Sequence, residues 1–141
     1  MKPSCQNSQM PRTVITFGTF DVFHVGHLRV IERAAALGDR LVVGVSADAL
    51  TISKKGREPV FSQAERIAIV AALKPVDAVF IEESLELKRE YILEHEADVL
   101  VMGDDWAGRF DEFKDVCEVV YLPRTPAIST TALIEKISGT G

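Results

Sequence analysis

The stretch TVITFGTFDVFHVGHLRVIERAAALGDRLVVGV, residues 13–45, decides the fold. Val14-Ile15-Thr16-Phe17 is a short run rich in β-branched and aromatic side chains, and Gly18 stops it. It reads as a strand buried on both faces. Val25 to Leu37 then places Val25, Leu28, Ile31, Ala35 and Ala36 on one stripe, which predicts a helix, and Gly38-Asp39 closes it. Leu41-Val42-Val43-Gly44-Val45 is a second buried strand. Two such strands joined by a helix form a parallel crossover unit.

The same alternation continues downstream. Ser53-Lys54-Lys55-Gly56-Arg57-Glu58-Pro59 is polar and basic and is expected to be a surface loop. Ser62 with Glu65 three residues on predicts a capping box that opens a helix through Ile67, Ile69, Val70 and Leu73, with Pro75 at its exit. Further strands are expected at Val76–Ile81, Val99–Met102 and Val119–Leu122, with helices at Leu85–His95 and Phe110–Asp115 between them. Gly103-Asp104-Asp105-Trp106 is a loop, and Ser129 caps a last helix over Thr130–Ile137. Strands apolar on both faces and joined by helices predict a Rossmann-like three-layer α/β fold, a five-stranded parallel sheet with helices on both faces. Residues 1–12 are expected to be a flexible lead-in and residues 13–138 the domain.

Composition bounds the rest. A chain of 141 residues is one domain by length. Lys plus Arg total 16 and Asp plus Glu 21, a formal net charge of −5 that argues against broad nucleic-acid binding. No apolar run approaches the roughly 18 residues of a membrane span. Met1 to Arg12 lacks the apolar stretch of a signal peptide. Cys5 and Cys117 make neither a disulfide framework nor a metal-ligand spacing and read as free thiols, so the cytoplasm is the expected location.

In parallel sheets, ligands bind at the carboxyl ends of the strands. After the first strand comes Gly18-Thr19-Phe20-Asp21-Val22-Phe23-His24-Val25-Gly26-His27, which holds two of the chain's three histidines. At a spacing of three on the first turn of a helix, both imidazoles project to one side. The helix start adds backbone N–H groups and partial positive charge, and Gly26 allows close approach of a phosphate. The set suits a polyphosphate. A metal pair completed by Asp21 is the competing reading of the histidines. The run is neither a dinucleotide fingerprint nor a P-loop.

The run Gly18 to His27, ending in H-x-G-H, resembles the nucleotidyltransferases of the cytidylyltransferase superfamily. Val101-Met102-Gly103-Asp104-Asp105-Trp106, Glu118 to Thr125 and Ile128-Ser129-Thr130-Thr131 extend the resemblance from about Val14 to Ile137 and point to its glycerol-phosphate branch. It implies attack of a small phosphorylated alcohol, glycerol 3-phosphate first, on the α-phosphate of CTP. Pyrophosphate leaves and CDP-glycerol forms. Mg²⁺ is implied as cofactor, and a homodimer with contacts near the first helix as the assembly.

Roles carry over residue by residue. His24 and His27 would donate to the α-phosphate. Thr19, Phe20 and Gly26 would border CTP. Lys54 would stand on the substrate or phosphate side, and Lys88 would contact the acceptor phosphate. Arg124 and the Ile128-Ser129-Thr130-Thr131 cap would cradle the triphosphate. Asp105 would accept from the nucleoside, with Trp106 beside it.

This chain departs from the pattern at four places. Lys74 stands where the family has an arginine near the cytosine, and Leu85 replaces an aromatic residue. The Lys54-Lys55-Gly56-Arg57 loop is one residue longer, leaving open which cation faces the phosphate, and Pro126-Ala127 alters the approach to the last helix. The alternatives are a same-fold enzyme using ATP or another phosphorylated alcohol, or a non-catalytic nucleotide-binding regulator.

Overall fold

The computed structural model describes residues 11–123. Five strands form one parallel sheet: β1 (Thr13–Gly18), β2 (Arg40–Ser46), β3 (Ala78–Glu82), β4 (Val99–Gly103) and β5 (Glu118–Leu122). Their order is β3-β2-β1-β4-β5. Ile15 of β1 stands opposite Val42 of β2 on one side and Leu100 of β4 on the other. The helices are α1 (Val25–Ala35), α2 (Asp48–Lys55), α3 (Gln63–Ala71) and α4 (Lys88–Glu94). The chain winds outward from β1 to β3, then returns to continue from the other side of β1. Crossovers of one hand must therefore put later helices on the opposite face.

The core follows this rule. Alternate side chains of a strand point to opposite faces. Val14, Val43, Val45 and Val101 pack on Ile31 and Ala34 of α1 and Val70 of α3. Ile15, Phe17, Val42 and Leu100 pack on Ile92 of α4 and on Phe110 and Phe113. The fold is the expected Rossmann-like α/β architecture. Its strand order reverses between β1 and β4, the point where such sheets leave a crevice at the carboxyl edge.

Several local expectations are corrected. Ser53, Lys54 and Lys55 belong to α2 and are not loop; Gly56 (φ 75°) ends that helix and donates to the Ile52 carbonyl at 2.7 Å. The left-handed conformation that glycine tolerates makes it a C-terminal helix stop, and a polar run disguised the helix before it. The Leu85–His95 segment begins as a 3₁₀ turn over Leu85–Leu87 before α4 takes over, and the helix near Phe110 is a 3₁₀ turn over Asp111–Asp115. β3 begins two residues later than expected, at Ala78. The Ser62 capping box is present: Ser62 Oγ accepts from the Glu65 N–H at 3.2 Å, and Glu65 accepts from the Ser62 N–H at 3.1 Å. Arg12, read as the end of a lead-in, is anchored. Its carbonyl accepts from Asp39 and Arg40, its N–H donates to Asp39, and its guanidinium pairs with Glu118. The last helix expected at Thr130–Ile137 lies outside the described residues.

Candidate functional site

The loop leaving β1 is held in an unusual shape. Phe20 (φ 55°) and Val22 (φ 47°) both adopt left-handed backbone, which costs a non-glycine residue about 1 kcal/mol or more. Between them Asp21 is buried, and its carboxylate accepts from the N–H groups of Val60 (2.7 Å), Phe61 (2.8 Å) and Val22 (3.1 Å). One short acidic side chain thereby ties the β1 loop to the segment entering α3.

Arg66 makes the larger brace. It is fully buried on α3 and donates to the carbonyls of Thr19 (2.9 Å), Ser46 (2.7 Å) and Phe61 (3.0 Å) and to the Asp48 carboxylate (2.6 Å). A planar guanidinium with five N–H donors can serve several elements at once. Here it joins the ends of β1 and β2, the start of α2 and the loop before α3.

The two histidines cap α1 with each other. His24 is the residue before the helix, and its Nδ1 accepts from the Gly26 N–H at 3.0 Å. His27 returns the bond: its Nδ1 accepts from the His24 N–H at 3.2 Å. This is a capping box built from imidazoles in place of hydroxyl and carboxylate. Because each Nδ1 is an acceptor, each neutral ring carries its proton on Nε2. The rings stack with centroids 4.0 Å apart. Burial, then the neighbouring His24 and Lys55, push His27 down to about 4 against the opposing pull of Asp21. Burial also lowers His24. At neutral pH the pair is therefore uncharged, and the cap itself sets which nitrogen can donate. The N–H of Gly26 is thereby engaged by His24.

These elements border a cavity of about 410 Å³ at the carboxyl edge of the sheet, with Phe17, Thr19, Phe20, Asp21 and His27 at the β1 end. Lys54, Lys55, Glu82, Lys88, Asp105 and Trp106 also line it. Of the cations left open by the sequence, Lys54 and Lys55 reach the cavity, while exposed Arg57 is not among its lining residues. Lys54 Nζ donates to Ser46 Oγ at 2.9 Å. Lys88 is buried and donates to Glu82 at 2.6 Å. Burial lowers both lysines and Glu82 opposes that shift. Trp106 packs against Phe110 at 5.4 Å while also facing the cavity.

Lys74 is not brought to this place. It is exposed on the turn before β3, at the opposite, amino end of that strand. Arg124, Ile128, Ser129, Thr130 and Thr131 lie outside the described residues. Among those described, no three His, Cys, Asp or Glu side chains cluster as a metal site, so the reading of the histidines with Asp21 as ligands gains no support.

Sequence reasoning missed Arg66, Ser46 and Glu82. Arg66 had a signal, since it stands four residues before Val70 and so shares the helix face turned to the core. Glu82 had a weaker one, an acid ending an apolar strand.

A model of the cytidylyltransferase-like family matches residues 15–136. The glycerol-3-phosphate cytidylyltransferase of Bacillus subtilis (strain 168) is 48% identical over 128 residues, covering 91% of this chain and 98% of its own length. That of Bacillus spizizenii (strain ATCC 23059 / NRRL B-14472 / W23) is 45% identical, with 86% and 94% covered. Among solved structures, the lipopolysaccharide core biosynthesis protein from Thermoplasma volcanium GSS1 superposes with a TM-score of 0.70 at 24% identity, covering 82% of this chain and 99% of that one, which establishes the shared fold.

Proposed function

The chain belongs to the cytidylyltransferase-like family, and from that premise we propose that it joins CTP to glycerol 3-phosphate, releasing pyrophosphate and forming CDP-glycerol. One observation carries the site assignment: a neutral imidazole donor and the lysines Lys54, Lys55 and Lys88 line a single cavity. The phosphate of the acceptor is largely a dianion at neutral pH, its second pKa being about 6, so it attacks without a general base. A new bond forms between its oxygen and the α-phosphorus, and the bond from that phosphorus to the bridging oxygen breaks. Both electrons of the broken bond leave with pyrophosphate. The protein's work is alignment and stabilisation of the charge that builds on the α-phosphate oxygens.

His24 and His27 supply Nε2 donors to that phosphate. Thr19, Phe20 and Asp105 border the nucleoside. Arg124 and Ile128 to Thr131 hold the triphosphate. Lys54 and Lys88 face the acceptor, and Lys55, next to His27 and Asp21, faces the nucleotide.

Magnesium belongs to the same proposal. Two of the carboxylates lining the cavity are already engaged, Asp21 by backbone N–H groups and Glu82 by Lys88. This donor set fits a metal ligated mainly by phosphate oxygens and water, as Mg²⁺ prefers. When bound, the ion would neutralise charge on the triphosphate and the leaving pyrophosphate.

The homodimer is proposed with α1 and its flanking loops as the contact. Exposed Val25 at the start of α1 supports it. A sedimentation-equilibrium mass of twice the 15.5 kDa chain is the expected result. The cytoplasm is proposed as the location, in keeping with the free thiol of Cys117. Among the described residues, no helix is long and apolar enough to cross a membrane.

The direct test measures pyrophosphate release with Mg²⁺, crossing CTP, ATP, GTP and UTP against glycerol 3-phosphate. Release with CTP alone is expected. Release with a different nucleotide would overturn the base assignment, and release only with another phosphorylated alcohol would overturn the acceptor.

A further inference from the structure

Glu82 ends β3 inside the cavity and is 1% exposed. One carboxylate oxygen accepts from Lys88 Nζ at 2.6 Å, and the other lies 3.5 Å from the hydroxyl of Ser46, the last residue of β2. Ser46 Oγ in turn accepts from Lys54 Nζ at 2.9 Å. A single carboxylate therefore sits between two ammonium groups, touching one directly and the other through a hydroxyl. The Lys88 ammonium also lies over the Phe17 ring, 3.7 Å from its centroid, with the Phe110 ring 5.2 Å away. Those rings and the bond to Glu82 restrict where its remaining N–H groups can point.

Such an arrangement is a poor device for stability alone. Desolvating two charges offsets most of their attraction, and an apolar pair of similar size often serves a core as well. A buried ion pair on a cavity wall instead points to a task performed there. Neither lysine could hold its charge so readily with the carboxylate removed. Glu82 from β3 acts on Lys88, Glu82, Lys88, Lys55 and Arg66 act on Lys54, and β1 and the segment after β4 contribute aromatic rings over Lys88.

We propose that Glu82 is a positioning residue for the acceptor: it holds Lys88 directly, and Lys54 through Ser46, as charged donors aimed at the acceptor's phosphate. The assignment rests on the reading of the Lys54 and Lys88 end of the cavity as the acceptor's. Glu82 itself carries negative charge and does not bind the phosphate. Its part is to keep two cations oriented and protonated in a place where burial opposes both.

Glu82→Gln keeps the shape and a carbonyl for Lys88 but removes the charge. The KM for glycerol 3-phosphate is expected to rise about tenfold, the scale of one charge-assisted hydrogen bond, with the KM for CTP unmoved. The sign with pH is fixed. Without the carboxylate Lys88 loses its proton at lower pH, so the acceptor KM should climb with rising pH earlier in the variant than in the wild type. A merely structural role would raise both KM values together and leave the pH profile in place, and that result would overturn the proposal.

If Glu82→Gln does not fold, Ser46→Ala tests the arm to Lys54; an unchanged acceptor KM there would overturn it. If the wild type releases no pyrophosphate with glycerol 3-phosphate, the acceptor reading has failed. The effect of Glu82 on the lysines is then decided by NMR titration of protein labelled with ε-¹³C lysine. A Lys88 resonance that titrates at lower pH in the variant supports it, and one that titrates identically overturns it.

Discussion

His27→Ala should lower kcat about 10²–10³-fold, the loss usual when one preorganised donor to a developing oxyanion is removed. The expectation rests on how the ring is held. Its Nδ1 is engaged by the His24 N–H, so Nε2 carries the proton, and stacking on His24 limits rotation. Alanine removes both the donor and half of the α1 cap. The cap loss should cost about 1 kcal/mol of stability, too little to unfold a domain of this size. His27→Glu separates the two effects, because its carboxylate can still accept from the His24 N–H but offers no donor to the phosphate. It should recover melting temperature more than rate, and a full recovery of rate would remove His27 from the chemistry.

The same residue predicts a pH signature. An exposed histidine titrates near 6.5, whereas His27 in the fold titrates at about 4. Between those values the unfolded chain binds the extra proton and the folded one does not, so His27 makes stability rise with pH through that window and fall on acidification. Denaturant unfolding at pH 4.5 and at pH 7.5 should differ less in His27→Ala than in the wild type. In kcat/KM, which reports the free enzyme, no ionisation of His27 should be visible above about pH 5.

Arg66→Leu should be the most destabilising single change, by about 3–5 kcal/mol, the range for breaking a buried charged network. Leucine leaves the carbonyls of Thr19, Ser46 and Phe61 without this donor in a buried place. It also frees Asp48 to solvent, and that part of the loss is small because Asp48 is partly exposed. Arg66→Lys should recover only part, since one ammonium lacks the planar fork that spans four acceptors. The urea midpoint of the pair measures this. A midpoint shift below the equivalent of about 1 kcal/mol would show that the strand-end loops hold their shape through Asp21 alone. Whatever fraction of Arg66→Leu remains folded should also turn over slowly, since Thr19 lines the cavity and Ser46 holds Lys54, which lines it too.

The three-layer fold was legible because strands buried on both faces leave continuous apolar runs and their crossovers leave a stripe of period near 3.6. Val14 to Phe17, Ile31 and Val70 announce their places by that pattern alone. The α2 helix was not legible, because Lys54 and Lys55 in its last turn resemble loop residues and its apolar content is small. The cap at Ser62 could be read because capping is local: donor and acceptor lie within three residues, so spacing suffices to predict the bond. The cap that His24 and His27 make, though equally local, was not read, because imidazoles stand there in place of the usual hydroxyl and carboxylate.

Contacts between segments far apart in the chain are a different matter. That Lys88 is buried on Glu82, that Ser46 links Glu82 to Lys54, and that Arg66 binds ends of β1 and β2 could not be inferred from residue types, since each would be at home on a surface. Lys74, which the family resemblance implied beside the nucleoside, follows α3 at the other end of the sheet. The local order of the chain determined the strands, the helices and the imidazole cap, because those depend on neighbours a few residues apart. Only the winding of the sheet decided which charges meet at its carboxyl edge. The partners there are separated by up to 47 residues in sequence, and their pairing is set by strand order and register.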